Sequence, residues 1–133
     1  MSISDIQMVA FGNPLKNDNS YDLLSKSKLL GAKTNFLTCK DNESFSSFNH
    51  GVIDWRKMTN GIHWLVNSTE TILSGISPKS ALGAGMTFGE LEGARMVMVV
   101  DVPDDPEDMV KAWGFVINRI RQIHVLFLTS EAL

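Results

Sequence analysis

Leu82-Gly83-Ala84-Gly85-Met86-Thr87-Phe88, then Gly89-Glu90-Leu91-Glu92-Gly93, then Ala94 to Val102 form the stretch on which the fold turns. Two apolar runs flank a polar pentad bounded by glycines, and that pattern predicts a β-hairpin. Met96-Val97-Met98-Val99-Val100 is apolar at every position. A run without alternation predicts a central strand covered on both faces.

Upstream of it the period changes. Trp55, Met58, Ile62, Leu65, Thr69, Ile72 and Ile76 recur at spacings of three and four, which predicts one long amphipathic helix ended by Gly75 and Pro78. Gly61 weakens that helix by about 1 kcal/mol relative to alanine, or marks a close crossing. Before it, Lys33 to Thr38 and Ser44 to Phe48 flank the turn-forming run Lys40-Asp41-Asn42-Glu43 and predict a first hairpin. Asn17-Asp18-Asn19-Ser20 offers caps for a short helix over Tyr21 to Leu30, with Gly31 at its end. Residues 1–19 are an arm or an extra strand, with Gln7 to Phe11 ended by Gly12-Asn13-Pro14.

Downstream, Asp105 is placed to cap a helix, Pro106 suits its first position, and Glu107 and Asp108 complement its positive end. Apolar residues then recur from Met109 to Phe127, and Val125, Leu126 and Leu128 widen the stripe. The order α-β-β-α-β-β-α predicts an α+β domain spanning residues 1–133, an antiparallel sheet of two hairpins layered under helices.

Composition excludes several classes. The chain has 133 residues, 44% hydrophobic and 20% charged, within the globular range. Twelve basic against fifteen acidic side chains leave a net charge of −3, which gives no general attraction for nucleic acid or anionic membrane. Cys39 is the only cysteine, so neither an intrachain disulfide nor a cysteine zinc site can form. The first ten residues lack the basic start and apolar run of a signal peptide, and no apolar run is long enough to span a bilayer; the expected location is the cytoplasm.

Catalytic patterns are sparse. Gly83, Gly85 and Gly89 are spaced G-x-G-x-x-x-G, and before a hairpin they would lack the helix N-terminus that a dinucleotide loop needs. Asp101, Asp104, Asp105, Glu107 and Asp108 form the densest acidic group. Such carboxylates can hold a hard cation or share acid/base work, but capping and solvation account for them more simply. His50, His63 and His124 show no ligand spacing, and no serine lies in a hydrolase motif. Cys39, beside Lys40, has no histidine close in sequence. The expectation is a protein without catalytic residues, cofactor or metal.

Apolar surface is the more informative feature. Trp55 and Trp64 lie nine residues apart, on opposite sides of a helix, so Trp64 is directed away from the core that Trp55 enters. Trp64, Val125, Leu126 and Leu128 are therefore the candidate partner-binding residues. The predicted order of elements resembles that of small acidic secretion chaperones of the class I type III kind. Leu82-Gly83-Ala84-Gly85, Glu92-Gly93-Ala94 and Val99-Val100 are similar to the stretch after the long helix in the IcmS-type adaptor of type IVB secretion. The resemblance implies a non-enzymatic, protein-binding chaperone or adaptor acting as a homo- or heterodimer. A structural subunit of a secretion machine or phage particle is one alternative, and a small enzyme using Asp101 and Asp104 is another.

Overall fold

The computed structural model describes residues 2–13, 18–41 and 43–129. Pro14, Asn17 and Asn42, read above as breaker, cap candidate and turn residue, lie outside them, as do Met1 and residues 15, 16 and 130–133. Among these residues five strands form one sheet: β1 (Gln7–Phe11), β2 (Lys33–Leu37), β3 (Trp64–Ser68), β4 (Arg95–Val100) and β5 (Val125–Leu128). Their order is β2-β1-β3-β4-β5, and every neighbouring pair is parallel. The expectation of an antiparallel α+β sheet is overturned; this is an α/β sheet wound on both faces.

Helices make the connections: α1 (Asn19–Leu29), α2 (Trp55–Thr59), α3 (Thr69–Leu73), α4 (Ile76–Leu91) and α5 (Pro106–Asn118). Leu23 and Leu24 of α1 pack on Ala10, Val66 and Val97 on one face of the sheet. Trp55, Ile72, Leu82, Met86 and Val116, from the other four helices, pack on Phe11, Leu65, Met96 and Met98 on the opposite face.

Among the described residues neither predicted hairpin forms, and the reasons differ. Phe45 and Phe48 are buried within turns, their rings stacked 5.6 Å apart and set 5.5 and 5.9 Å from Phe11. They fill the core without pairing. The second arm of the second hairpin is strand β4, but its first arm lies in a sixteen-residue helix, α4, continuous from Ile76 to Leu91. Its glycines permit close approach instead of turning the chain. A Cβ on Gly85 would lie 2.8 Å from the Trp55 ring, and one on Gly89 would lie 2.6 Å from Met96 Cε. The G-x-G-x-x-x-G reading as a phosphate loop ends here, because all three glycines sit inside a helix.

The long helix predicted from Trp55 to Ile76 is three elements. α2 stops at Thr59, Gly61 takes φ +75°, and the chain then enters β3. Nothing lies within 4 Å of a Cβ built on Gly61, so it serves the turn and not a close crossing. β3 is buried at Leu65, Val66, Asn67 and Ser68, on both faces, and so shows no alternation. The last helix ends at Asn118; a 3-10 turn at Ile120–Gln122 leads into β5, so Val125, Leu126 and Leu128 belong to a strand.

Other local signals hold. Asp105 caps α5, with Pro106 opening it, Asp18 caps α1, and Gly31 follows α1 at φ +110°. Five of the six residues of β4 are buried, the pattern expected of its unbroken apolar run.

Candidate functional site

Parallel strands finish at a common edge. Ligands of open α/β sheets bind beyond those carboxyl ends, at the point where strand order reverses. In this order the reversal falls between β1 and β3. The crevice there is filled from within by Asp18, which is 1% exposed. Its Oδ1 accepts hydrogen bonds from the Ser20 amide at 2.8 Å, Ser20 Oγ at 2.7 Å and Ser68 Oγ at 2.7 Å. Its Oδ2 accepts from Thr71 Oγ1 at 3.0 Å. A Cβ on Gly12 would lie 2.6 Å from that same oxygen, so β1 must leave the sheet through glycine. Four donors satisfy the carboxylate. Asp18 is a staple joining α1 to the end of β3 and to α3.

Open space lies one strand over. A cleft of about 420 Å³ sits at the ends of β3 and β4, its lining including Thr69, Glu70, Asp101, Pro103, Asp104 and Asp108. Four of its lining residues are carboxylates and none is basic. Asp101 anchors this cleft. Its amide donates to Thr69 Oγ1 at 3.0 Å, its Oδ1 accepts from Asn19 Nδ2, and its Oδ2 is sealed from solvent with no partner among the described residues. Burial pushes the Asp101 carboxyl above its ordinary value; the Asn19 hydrogen bond opposes that shift and the Asp18 charge adds to it.

The other acidic residues divide by role. Asp105 accepts from the Glu107 amide at 2.9 Å as the cap of α5. Asp108 stands 3.9 Å from Lys111, and Asp104 is exposed on the cleft wall. No group of three or more histidine, cysteine or carboxylate side chains converges on a metal position among the described residues.

No family model matches the chain, and no curated protein does. Among solved structures, the 2-dehydro-3-deoxygluconokinase of Thermotoga maritima is similar, with a TM-score of 0.61 and 13% identity. The match covers 98% of this chain and 47% of that one, so the chain spans about half the length of the kinase. At this identity the likeness concerns the fold.

The remaining sequence candidates find structural places. His63 and His124 each precede a strand and bracket its neighbour's start in the same way. The His63 amide donates to Gln7 O at 2.8 Å while its Nδ1 accepts from the Gln7 amide at 3.0 Å. His124 does the same with Met96, at 2.9 Å in both directions. Cys39 is half-buried, with Sγ 3.6 Å from Glu43 O.

Trp64 lies in β3, half-buried, with the Arg95 guanidinium 5.8 Å from its ring centre. It packs with Val125 on the α1 face, whereas Leu126 packs on the opposite face. Leu128 is at the sheet margin, 36% exposed, beside Phe127 at 49%. The four candidate residues therefore do not form one patch. No helix of the described residues is long and apolar enough to cross a membrane.

Sequence reading offered Asp18 and Asn19 only as helix caps and Thr69 only as part of a helical stripe, and missed their places around the strand ends. A signal for them exists: an apolar run leading into glycine, then an Asp-Asn-Ser cap, is how a strand of such a sheet passes to its helix.

Proposed function

We propose that the chain binds a small, uncharged, polyhydroxylated ligand at the carboxyl ends of β3 and β4. The observation that carries this reading is the spread of Glu70, Asp101, Asp104 and Asp108 around one cleft that has no basic lining residue. Carboxylates that met at a point would suit a cation; distributed ones match the separated hydroxyl donors of a polyol, each of which can give a charge-assisted hydrogen bond. Their combined charge opposes an anion. The similar kinase acts, by its name, on a sugar acid, and a carboxylated ligand would have to turn that group away from these four side chains. Thr69, whose Oγ1 accepts from the Asp101 amide, sets the position of Asp101.

Calorimetric titration with neutral hexoses and pentitols, with gluconate as the anionic control, tests the reading. A neutral polyol is expected to bind with Kd of about 1 mM or tighter. Gluconate should bind more weakly, and the double variant Asp101→Asn, Asp104→Asn should abolish the heat. Tighter binding of gluconate, or an unaltered isotherm in the double variant, would refute it.

A second reading, association with a second copy of the chain as an adaptor-like dimer, is favoured by β5. That strand forms one edge of the sheet. Beside it runs a groove of about 240 Å³ between α1 and β5, lined mainly by apolar surface from Leu23, Val99, Phe127 and Leu128. Sedimentation of the wild type and of Phe127→Lys distinguishes the outcomes: a dimer that the variant splits into folded monomers supports it, and a wild-type monomer ends it.

A further inference from the structure

A second cleft, of about 620 Å³, lies between α4 and the end of α5 and is lined by Lys79, Lys111, Asn118, Arg119 and Gln122, with Gly114 and Phe115 beside them. Three of these side chains are cationic and none is a carboxylate, in a chain whose net charge is −3. Arg119 is half-buried and held from three directions. Its Nη1 donates to Gly83 O at 3.4 Å and to Gln122 Oε1 at 3.0 Å, and its guanidinium stands 5.1 Å from the centre of the Phe115 ring. Gln122 is itself fixed, donating from Nε2 to Glu90 Oε2 at 2.8 Å. Arg119 makes no ion pair among the described residues. A guanidinium so placed has donors left over and has already lost the rotational freedom that binding would otherwise remove.

Gly114 supports the same reading. It is an exposed position inside α5, where glycine costs about 1 kcal/mol relative to alanine, yet a Cβ built on it meets nothing within 4 Å. Packing does not demand glycine at this position, and its missing side chain leaves the cleft open. α5 separates this cleft from the acidic one, Lys111 lining the first and Asp108 the second.

We propose that the α4–α5 cleft is an anion site for a phosphate-bearing small molecule, with Arg119 as the preorganised donor and with Lys79 and Lys111 as exposed charges that close on the ligand, Lys111 turning from its 3.9 Å pairing with Asp108. A planar guanidinium presents paired donors to phosphate oxygens, and flanking ammonium groups add point charges. The site does not depend on the polyol reading of the acidic cleft.

Inorganic pyrophosphate is the probe, followed by amide chemical shifts at low ionic strength. Shifts are expected around Lys79, Lys111 and Arg119. Affinity should fall about tenfold or more in Arg119→Gln, as loss of a charge-assisted bond implies. Lys28→Gln, on α1, removes the same charge from another helix and should leave the affinity as it is. Equal weakening by Lys28→Gln and Arg119→Gln would reduce the effect to overall charge and overturn the proposal, as would wild-type affinity in Arg119→Gln. Should Arg119→Gln fail to fold, the double variant Lys79→Gln, Lys111→Gln carries the same test, and unchanged binding there overturns the proposal equally.

Discussion

Replacing Asp18 with alanine removes the staple at the point where strand order reverses. Three elements lose a partner together: the α1 amide end through Ser20, β3 through Ser68, and α3 through Thr71. Loss of the cap alone costs about 1 kcal/mol, and each buried hydroxyl bond to a charged oxygen is worth roughly 1.5–3 kcal/mol. The hydroxyls have only poor alternatives, since Ser68 Oγ is 3.4 Å from Thr71 Oγ1, and Thr71 Oγ1 is 3.4 Å from Phe11 O. Asp18→Ala should therefore destabilise the chain by about 4 kcal/mol, near the upper end for single substitutions. Asp18→Asn keeps an acceptor for the Ser20 and Ser68 donors and turns an amide toward Thr71, whose hydroxyl can accept; about half the loss should remain. Urea unfolding followed by tryptophan fluorescence measures both. A loss below about 1 kcal/mol in Asp18→Ala, or equal losses in the two variants, would show that the cluster is not what joins these elements.

Asp101 governs a pH effect. Its carboxyl keeps a proton to higher pH when folded than when unfolded, so its contribution to stability is fullest below the unfolded value near 4 and is lost as pH rises through the folded value. The stability of Asp101→Asn relative to wild type should rise between about pH 4 and pH 7; a constant difference contradicts the assignment. Gly85→Ala drives a methyl into the Trp55 ring, a clash costing about 1–3 kcal/mol, whereas Gly114→Ala meets open space and should stabilise α5 by up to about 1 kcal/mol. Thermal unfolding of the pair should shift in opposite directions, and a shared direction refutes the packing argument. In single-tryptophan variants acrylamide should quench Trp64 more strongly than Trp55, which is 3% exposed; equal quenching would contradict the placement of Trp64.

Local chemistry was legible in the sequence wherever a single residue type decides the backbone. Asp105-Pro106 opened a helix, Asp18 capped another, and Gly31 ended it, because caps depend on neighbours in the chain. Pairing direction was not legible. A parallel strand buried on both faces has no alternation, so the β3 run Trp64-Leu65-Val66 took the period of the apolar residues around it and read as helix. The glycines of α4 read as turn residues because what they accommodate, the Trp55 ring and Met96, is distant in sequence. The acidic cluster was visible as composition, but its division into cap, surface pair and cleft wall required the strand ends to be placed. The basic cleft joins Lys79 to Lys111 and Arg119 across two helices, and no sequence spacing announces it.

The position of β1 has a consequence for how the chain is made. Of the five strands of this sheet it is synthesised first, yet it lies inside the sheet, with Met8 paired to Thr34 on one side and to Trp64 on the other. On the β3 side the partner of Met8 comes 56 residues later, an interval of about 3 to 11 s at cellular rates of elongation. During that time Gln7-Met8-Val9-Ala10-Phe11 presents an unpaired apolar edge to anything nearby. Closing a gap of this length carries the entropic penalty that slows parallel topologies. A nascent chain arrested before Trp64 should therefore bind chaperones through β1, and one extended past Ser68 should release them.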